Sequence, residues 1–271
     1  MRPAPPPPAV PGRLRGRRVE AAVVIGAVLA FPMPVPRGAW WLLGASLGWS
    51  GLIALSAALR RPVAVRVCTL CGLGMMLRLS VPELWPGLVP LVAAIAVFAF
   101  LAWAFRWPGP LADLPMGSFD RRTRWMVAGV VALAVGGLAG WIAAVGPHGY
   151  SEGTRLAIRH ARSAPIWTVA PIGLLFALLN AAAEEAFFRG AFMAGLIESV
   201  AVPVAVLVQA ASFGILHLRG FPSGLAGVAL AAAYGLLLGL LRIRARGLLA
   251  PWVAHALTDI AIISVIVWVA R

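Results

Sequence analysis

Charged side chains occur at helical spacing inside an apolar segment of the C-terminal part of the chain. The stretch Ala181–Phe192, AAAEEAFFRGAF, is otherwise almost wholly apolar, yet it contains Glu184, Glu185 and Arg189. In a membrane, each ionisable group costs on the order of 2.5 to 3.5 kcal/mol. Residues four apart share a helical face, so Arg189 can neutralise Glu185. Glu184 is displaced by about 100 degrees and points to a neighbouring helix, so its burial requires a partner or a chemical role.

Two later apolar segments repeat the four-residue spacing. Phe213 and His217 lie in SFGILHL, and His255 and Asp259 lie in AHALTDI. On a helix, each pair shares one face. We therefore expect three helices, each with one polar facet, to line a common buried cavity. An intramembrane cluster of ionisable residues is by default a candidate functional site.

This set of side chains fits hydrolysis by an activated water molecule. Glu184 can take a proton from water as a general base, and an imidazole opposite it can hold and orient that water. A second imidazole can donate a hydrogen bond to the oxyanion that forms when water attacks an amide carbonyl. No serine or cysteine stands beside a base in these motifs. We therefore expect no covalent intermediate.

The same residues are also possible zinc ligands, because Glu and His are zinc donors and an open coordination position would activate water. The candidate ligands are Glu184, His217, His255 and Asp259. The HExxH motif is absent, and no two histidines share a helical turn, so any metal would be held across helices. The residues leave metal-free and zinc-assisted hydrolysis both open.

The composition indicates that lipid, and not water, surrounds these helices. Hydrophobic residues make up 61% of the chain, charged residues 12%, and the mean hydropathy is +0.91. These values exclude an ordinary soluble domain and predict an all-α, polytopic transmembrane bundle. The apolar runs are continuous and do not alternate with polar residues, which argues against an outer-membrane barrel.

Arginine supplies all of the basic charge, with 23 residues and no lysine. Most arginines stand between the apolar runs, which is typical of topology signals and lipid headgroup contacts and not of a nucleic-acid surface. We therefore expect membrane lipid as a partner and no nucleic acid. The arginine-, alanine-, glycine- and proline-rich usage suggests a GC-rich genome, and so a bacterial protein of the plasma membrane.

A helix that spans the membrane needs roughly 20 mostly apolar residues, and this length sets the predicted spans along the chain. Residues 1–18 combine a proline run with five arginines and predict a disordered basic tail. Residues 19–146 are assigned to N-terminal transmembrane helices, and 147–165 to an interfacial loop in which an amphipathic helix is possible. The third span, with Arg66 and Arg78, is the weakest, so we predict eight or nine spans. They lie near 19–35, 38–59, 63–81, 84–105, 125–146, 166–187, 200–218, 223–241 and 248–269.

The positions of the arginines favour nine spans with a cytoplasmic N terminus, because short arginine-rich loops stay on the cytoplasmic side. In that topology the loop 147–165, with three arginines, falls outside. The cytoplasmic side collects the N-terminal tail and Arg60, Arg61, Arg106, Arg121, Arg122, Arg124, Arg242, Arg244 and Arg246.

Two other patterns are read as packing. Cys68 and Cys71 form a single CxxC without a second pair, which favours small packing residues. Small-xxx-small spacing, which lets helices approach closely, is frequent by chance in so glycine-rich a chain and carries no function by itself. It occurs at Gly44 and Gly48, Gly136 and Gly140, and Gly235 and Gly239.

The three polar motifs, in this order on successive C-terminal helices, resemble the CPBP family of CAAX proteases and bacteriocin-processing enzymes, also called the Abi family. The motifs are EExxxR at 184–189, FxxxH at 213–217 and HxxxD at 255–259. The resemblance covers about residues 165 to 270. It implies that residues 166–271 are a protease core of four helices and that the chain is an intramembrane endopeptidase of the metallo- or glutamate type.

The resemblance also implies roles for individual residues. Glu184 would activate water with His217, while His255 and residue 259 would stabilise the oxyanion or complete a metal site. Glu185 and Arg189 would be the supporting ion pair. Family members usually have Asn or Asp at the last position, and an ionised Asp cannot donate to an oxyanion. Here the aspartate would instead orient His255, accept from substrate or bind metal.

Two other functions remain alternatives to a protease with a membrane-associated peptide or protein substrate. An ion- or proton-coupled transporter would predict broken helices and an internal repeat, and no convincing repeat is present. A non-catalytic membrane scaffold or immunity protein of the same fold would retain the helices without the reaction.

Overall fold

A computed structural model describes residues 11–36, 38–80, 92, 93, 96, 115–146 and 150–271. The fourth predicted span, 84–105, lies almost entirely outside these residues. The described residues are helical, with short connections and no strand. The helices of the N-terminal part are α1, Pro11–Ala30; α2, Ala39–Ala58; α3, Pro62–Ser80; α4, Arg121–Val145; and α5, Glu152–Ser163. Thus α1 begins inside the segment that the sequence predicts as a tail, and α5 lies inside the predicted interfacial loop.

The C-terminal part begins with one long helix whose centre has π geometry. It consists of α6, Ile166–Glu184, a π-helical segment, Glu185–Phe192, and α7, Met193–Ser199. The remaining elements are α8, Val202–Leu216; a short 3-10 turn, His217–Arg219; α9, Gly224–Ala245; and α10, Leu249–Ala270.

Seven helices in the described part of the chain are long and apolar enough to cross a membrane. The prediction of a multi-pass helical membrane protein is therefore confirmed, with the span count approximate. The first predicted span, 19–35, falls on α1, which is not among the seven. The seven are Ala39–Ala58, Pro62–Leu79, Arg121–Val145, Ile166–Ser199, Val202–Arg219, Gly224–Ala245 and Leu249–Ala270.

Helix α10 is the central element of the C-terminal bundle. It packs against α4, α5, α6 and α9, while α9 packs in turn along α8 and α4. The N-terminal helix α1 contacts α3, α7 and α8, so it joins the first helices to the C-terminal bundle. The Ser212 hydroxyl on α8 donates to the Val28 carbonyl on α1 at 2.7 Å. This bond couples the two halves across 184 residues of sequence.

A cluster of aromatic rings fills the space between α1 and the π segment. Phe31, the residue that follows α1, lies 4.9 Å from Phe187 and 5.5 Å from Phe192, measured between ring centroids. Phe188 packs beside them and also contacts Phe213 of α8 at 5.1 Å. Aromatic pairs at 4.5 to 7 Å add about 0.5–1.5 kcal/mol beyond the burial of their area. The cluster therefore holds the π segment between the two halves.

Helix ends are capped by side chains and by close backbone contacts. The Asp120 carboxylate accepts the Thr123 N–H at 2.7 Å, and this backbone hydrogen bond lowers the pKa of Asp120 below its ordinary value of 3.8. The Glu20 carboxylate of α1 accepts the N–H groups of Val63 and Ala64 at the start of α3. Such caps satisfy N–H groups that have no partner within the helix.

Candidate active site

The π segment and α10 bring the first and third motifs into direct contact. Glu185 Oε1 accepts two hydrogen bonds, one from Arg189 Nη1 at 2.8 Å and one from His255 Nδ1 at 2.7 Å. The expected Glu185–Arg189 pair is therefore present, and both side chains are buried. The contact between Glu185 and His255 was not expected, because the sequence suggests Asp259 as the residue that orients this imidazole.

Each nitrogen of His255 faces a different carboxylate. Because a carboxylate only accepts hydrogen bonds, the short contact with Glu185 places a proton on Nδ1. The other nitrogen, Nε2, lies 3.6 Å from Glu184 Oε2 and 3.7 Å from Asp259 Oδ1. These distances are longer than hydrogen bonds. Glu184, Glu185 and Asp259 thus surround one imidazole, on a buried face between α6 and α10.

The His255 ring is held edge-on by two aromatic rings. Phe213 lies 5.9 Å from it at an interplanar angle of 84°, and Tyr234 of α9 lies 5.7 Å away at 89°. The Tyr234 hydroxyl donates to Thr258 Oγ1 at 3.0 Å, which ties α9 to α10 one residue before Asp259. The orientation of His255 is therefore determined by packing as well as by its hydrogen bond to Glu185.

His217 lies at the end of α8, where the helix changes to a 3-10 turn. Its Nδ1 is 2.9 Å from the Phe213 carbonyl, which only accepts, so Nδ1 carries the proton and Nε2 is an acceptor in the neutral ring. The His217 ring contacts Phe213 at 4.8 Å. In the described part of the chain, no hydrogen bond or ion pair joins His217 to Glu184. Phe213 connects His217 to the cluster around His255.

Arg189 has a second set of contacts beyond Glu185. Its guanidinium carbon lies 4.4 Å from the centroid of the Phe213 ring, a cation–π distance, and Nη2 reaches the Gly235 carbonyl at 3.4 Å. The Gln209 side chain donates to the same Gly235 carbonyl at 2.9 Å. Arg189 is fully buried, so this network links the π segment to α8 and α9.

Sequence reasoning missed two amide side chains at this site, Asn180 and Gln209. They are the only asparagine and the only glutamine in the chain. Asn180 Nδ2 donates to Asp259 Oδ2 at 3.1 Å, across 79 residues of sequence. Their rarity and their position in membrane spans were available as a signal, because polar residues inside a membrane are expensive. Asn180 also precedes Glu184 by four residues, which places the two on one face of α6.

The candidate zinc ligands do not converge in the described part of the chain. No group of three or more His, Cys, Asp or Glu side chains there has the geometry to hold a metal ion. His255 Nδ1 is already bonded to Glu185, and the His217 and His255 rings both contact the Phe213 ring without contacting each other in the described part of the chain. The arrangement of donors therefore does not fit a closed zinc site.

Comparison with known proteins locates the similarity in the C-terminal part. Residues 166–261 match the family described as Rce1-like, type II CAAX prenyl endopeptidase Rce1-like. No curated protein and no solved structure matches the chain. The matched region runs from the start of α6 into α10 and contains all three polar motifs. The resemblance to CAAX proteases predicted from the motifs is therefore confirmed for residues 166–261.

Proposed function

We propose that the protein is an intramembrane endopeptidase that hydrolyses a peptide bond of a membrane-associated protein or peptide. The observation that carries the proposal is the cluster around His255. Three carboxylates and one imidazole meet on a buried face of a helical bundle, in a region that matches an endopeptidase family. Glu185 and Arg189 already form a hydrogen-bonded ion pair with each other, whereas Glu184 lies 3.6 Å from His255 Nε2, beyond hydrogen-bond distance.

Glu184 is the proposed general base. Its carboxylate is largely buried, and unlike Glu185 it forms no hydrogen bond within the described residues. It takes a proton from water as the water oxygen attacks the substrate carbonyl carbon, and it then gives that proton to the departing amine nitrogen as the C–N bond breaks. Glu184 thus returns to its carboxylate form, and one water is consumed for each bond cleaved.

The two histidines have different proposed roles because their hydrogen bonds differ. The acceptor Nε2 of His217 binds a hydrogen of the attacking water and so orients it. His255 is held by Glu185 through Nδ1, which leaves Nε2 to face the substrate; when Nε2 is protonated, it donates to the oxyanion. The distances of 3.6 and 3.7 Å from Nε2 to the two carboxylates leave it free of a strong bond. The hydrogen bonds of catalytic groups are often long in a free enzyme and tighten only in the substrate complex.

The mechanism is written for protein groups alone, because the described donors do not form a three-ligand group. Zinc is the second route that the sequence leaves open, with Glu184, His217, His255 and Asp259 as ligands. A bound zinc would polarise the carbonyl and activate water. Treatment with a chelator separates the two routes, since the metal-free route predicts unchanged turnover.

The substrate is proposed only as a class. The matched family is described as prenyl endopeptidases, and a prenylated peptide is therefore one candidate. The arginine-rich, lysine-free composition suggests a bacterial source and favours an unmodified membrane-associated peptide or protein. Comparing prenylated and unprenylated forms of the same peptide decides between these substrates.

The experiment compares the peptides of cells that carry the wild type, Glu184→Gln or Glu152→Gln. Glu184→Gln is expected to reduce cleavage by about 10²–10⁴-fold at normal expression, so that an uncut peptide accumulates. Glu152 lies on α5 with its side chain 70% exposed, so Glu152→Gln serves as the matched control and is expected to leave the peptides unchanged. If no peptide accumulates with Glu184→Gln, the endopeptidase proposal is wrong, and a scaffold function becomes the better explanation.

A further inference from the structure

The proposed reaction needs hydrogen-bond donors for the oxyanion, and the third motif offers only one. Oxyanion sites of acyl-transfer enzymes commonly provide two donors. His255 can donate through Nε2, but Asp259 can only accept while it is ionised. Asp259, the last residue of the HxxxD motif, therefore does not supply the second donor itself.

The side chain of Asn180 places an amide group beside Asp259. Its Nδ2 donates to Asp259 Oδ2 at 3.1 Å, while Asp259 Oδ1 is 3.7 Å from His255 Nε2. Each of the two nitrogens therefore lies near one oxygen of the same carboxylate. Because the carboxylate only accepts, the amide must turn its nitrogen, and not its oxygen, toward Asp259.

One N–H of this amide is left over. The Asn180 Nδ2 group has two hydrogens, and the bond to Asp259 uses one. Within the described residues, the other has no protein acceptor. Asn180 also lies one helical turn before Glu184 on the same face of α6, so the spare N–H and the proposed base approach the substrate from one helix.

Other donors near the site are already bonded. The Tyr234 hydroxyl donates to Thr258, and the Trp252 indole donates to the Leu178 carbonyl at 3.2 Å. The neutral His217 ring donates through Nδ1 to its own helix. The Asn180 amide is thus the neutral donor of the described site with a hydrogen to spare.

Resting on the proposed function, we infer that Asn180 is a catalytic residue that donates its second N–H to the substrate oxyanion, and that Asp259 positions it. The carboxylate fixes the amide from behind, as an orienting acceptor commonly does for a catalytic side chain. Asp259 thus acts through Asn180. This arrangement accounts for an aspartate at a position where a donor is needed, and for the only asparagine of the chain lying in a membrane helix.

The test uses the full-length protein and an internally quenched peptide that spans the cleavage site found by the comparison of wild type and Glu184→Gln. Asn180→Ala is expected to lower kcat by about 10²–10³-fold with little change in KM, because the donor acts on the transition state. Melting temperature is measured in parallel, so that kcat refers to folded protein. Asn180→Asp is expected to be at least as damaging, because it sets two carboxylates against each other.

The exchanged double variant, Asn180→Asp with Asp259→Asn, is the decisive one. It moves the amide to position 259 and the carboxylate to position 180, and it is expected to recover kcat to within about tenfold of the wild type. If Asn180→Ala keeps kcat within about threefold, or if the exchange recovers melting temperature without kcat, the inference is overturned while the endopeptidase proposal stands. If Glu184→Gln accumulates no uncut peptide, both are overturned.

Discussion

Breaking the buried pair of Glu185 and Arg189 should strongly destabilise the protein, and replacing Arg189 with Met tests this. The change removes the bond from Arg189 Nη1 to Glu185 Oε1 at 2.8 Å and the stacking on Phe213 at 4.4 Å, while keeping a side chain of similar length. Both charged side chains are at most 1% exposed. Removing one partner of a buried pair typically costs about 3–5 kcal/mol, and among the described residues Glu185 would keep only its hydrogen bond from His255.

The expected fall in melting temperature follows from that free energy. At about 2–4 °C for each kcal/mol in a protein of this size, the variant should melt about 6–20 °C below the wild type. Arg159→Met is the matched control, since the Arg159–Glu152 pair is 59% and 70% exposed and such pairs contribute about 1 kcal/mol or less. Its melting temperature should therefore fall by no more than about 4 °C.

The chain contains its own reporter for this measurement. Cys68 and Cys71 are the only cysteines, both are fully buried, and both lie in the core cluster with Phe187 and Phe188. A fluorogenic maleimide in detergent therefore reacts only as the bundle opens. If Arg189→Met melts no lower than the surface control, the pair does not brace the bundle. Removing both charges should be less harmful than removing one. If the double variant Arg189→Met with Glu185→Gln melts lower than Arg189→Met by as much again as Arg189→Met melts below the wild type, the pair likewise does not brace the bundle.

Three further perturbations use the same thermal assay. Gly239→Ala should melt lower, because its Cβ would lie 2.7 Å from Gln209 Nε2, whereas Gly140→Ala, with no described atom within 4 Å, should melt at or above the wild type. Phe31→Ala should cost about 3–5 kcal/mol through the cavity it leaves, and equal melting would refute its role between the halves. Asp120→Ala should melt below the wild type at neutral pH. Because a backbone hydrogen bond lowers the pKa of the folded Asp120, that difference should shrink as the pH falls below 3.8 and through the lower pKa of the folded state, and a constant difference would contradict it.

The helical, multi-pass fold and some contacts of the candidate site could be predicted, because both depend on local patterns. Continuous apolar runs indicate spans, and pairs four residues apart predict shared faces, so the contact between Glu185 and Arg189 was accessible from spacing alone. Likewise, the position of His255 on a buried face follows from its place in an apolar helix. The contact between Asn180 and Asp259 was not accessible, because it depends on how α6 and α10 pack across 79 residues of sequence.

The three small-xxx-small pairs show a second limit of local patterns. The sequence cannot rank them, because each has the same spacing and a similar apolar setting. In the structure, Gly235 and Gly239 lie at the contact between α8 and α9, and Cβ atoms there would meet Ala210 and Gln209. A Cβ atom at Gly136 or Gly140 would have no described atom from a neighbouring helix within 4 Å. Close helix approach is therefore a property of the neighbouring helix as much as of the motif.

The π geometry of Glu185–Phe192 begins at the point where two adjacent glutamates meet one imidazole. Neighbours on an α-helix diverge by about 100 degrees, so Glu184 was expected to turn away from the face of Glu185. A π turn closes its hydrogen bonds five residues apart and is wider, and such segments occur frequently at functional sites. Here it starts between the two glutamates, with Glu185 on Nδ1 of His255 and Glu184 facing Nε2. The helix type thus changes at the point where one residue holds the imidazole and its neighbour stays free for the proposed chemistry.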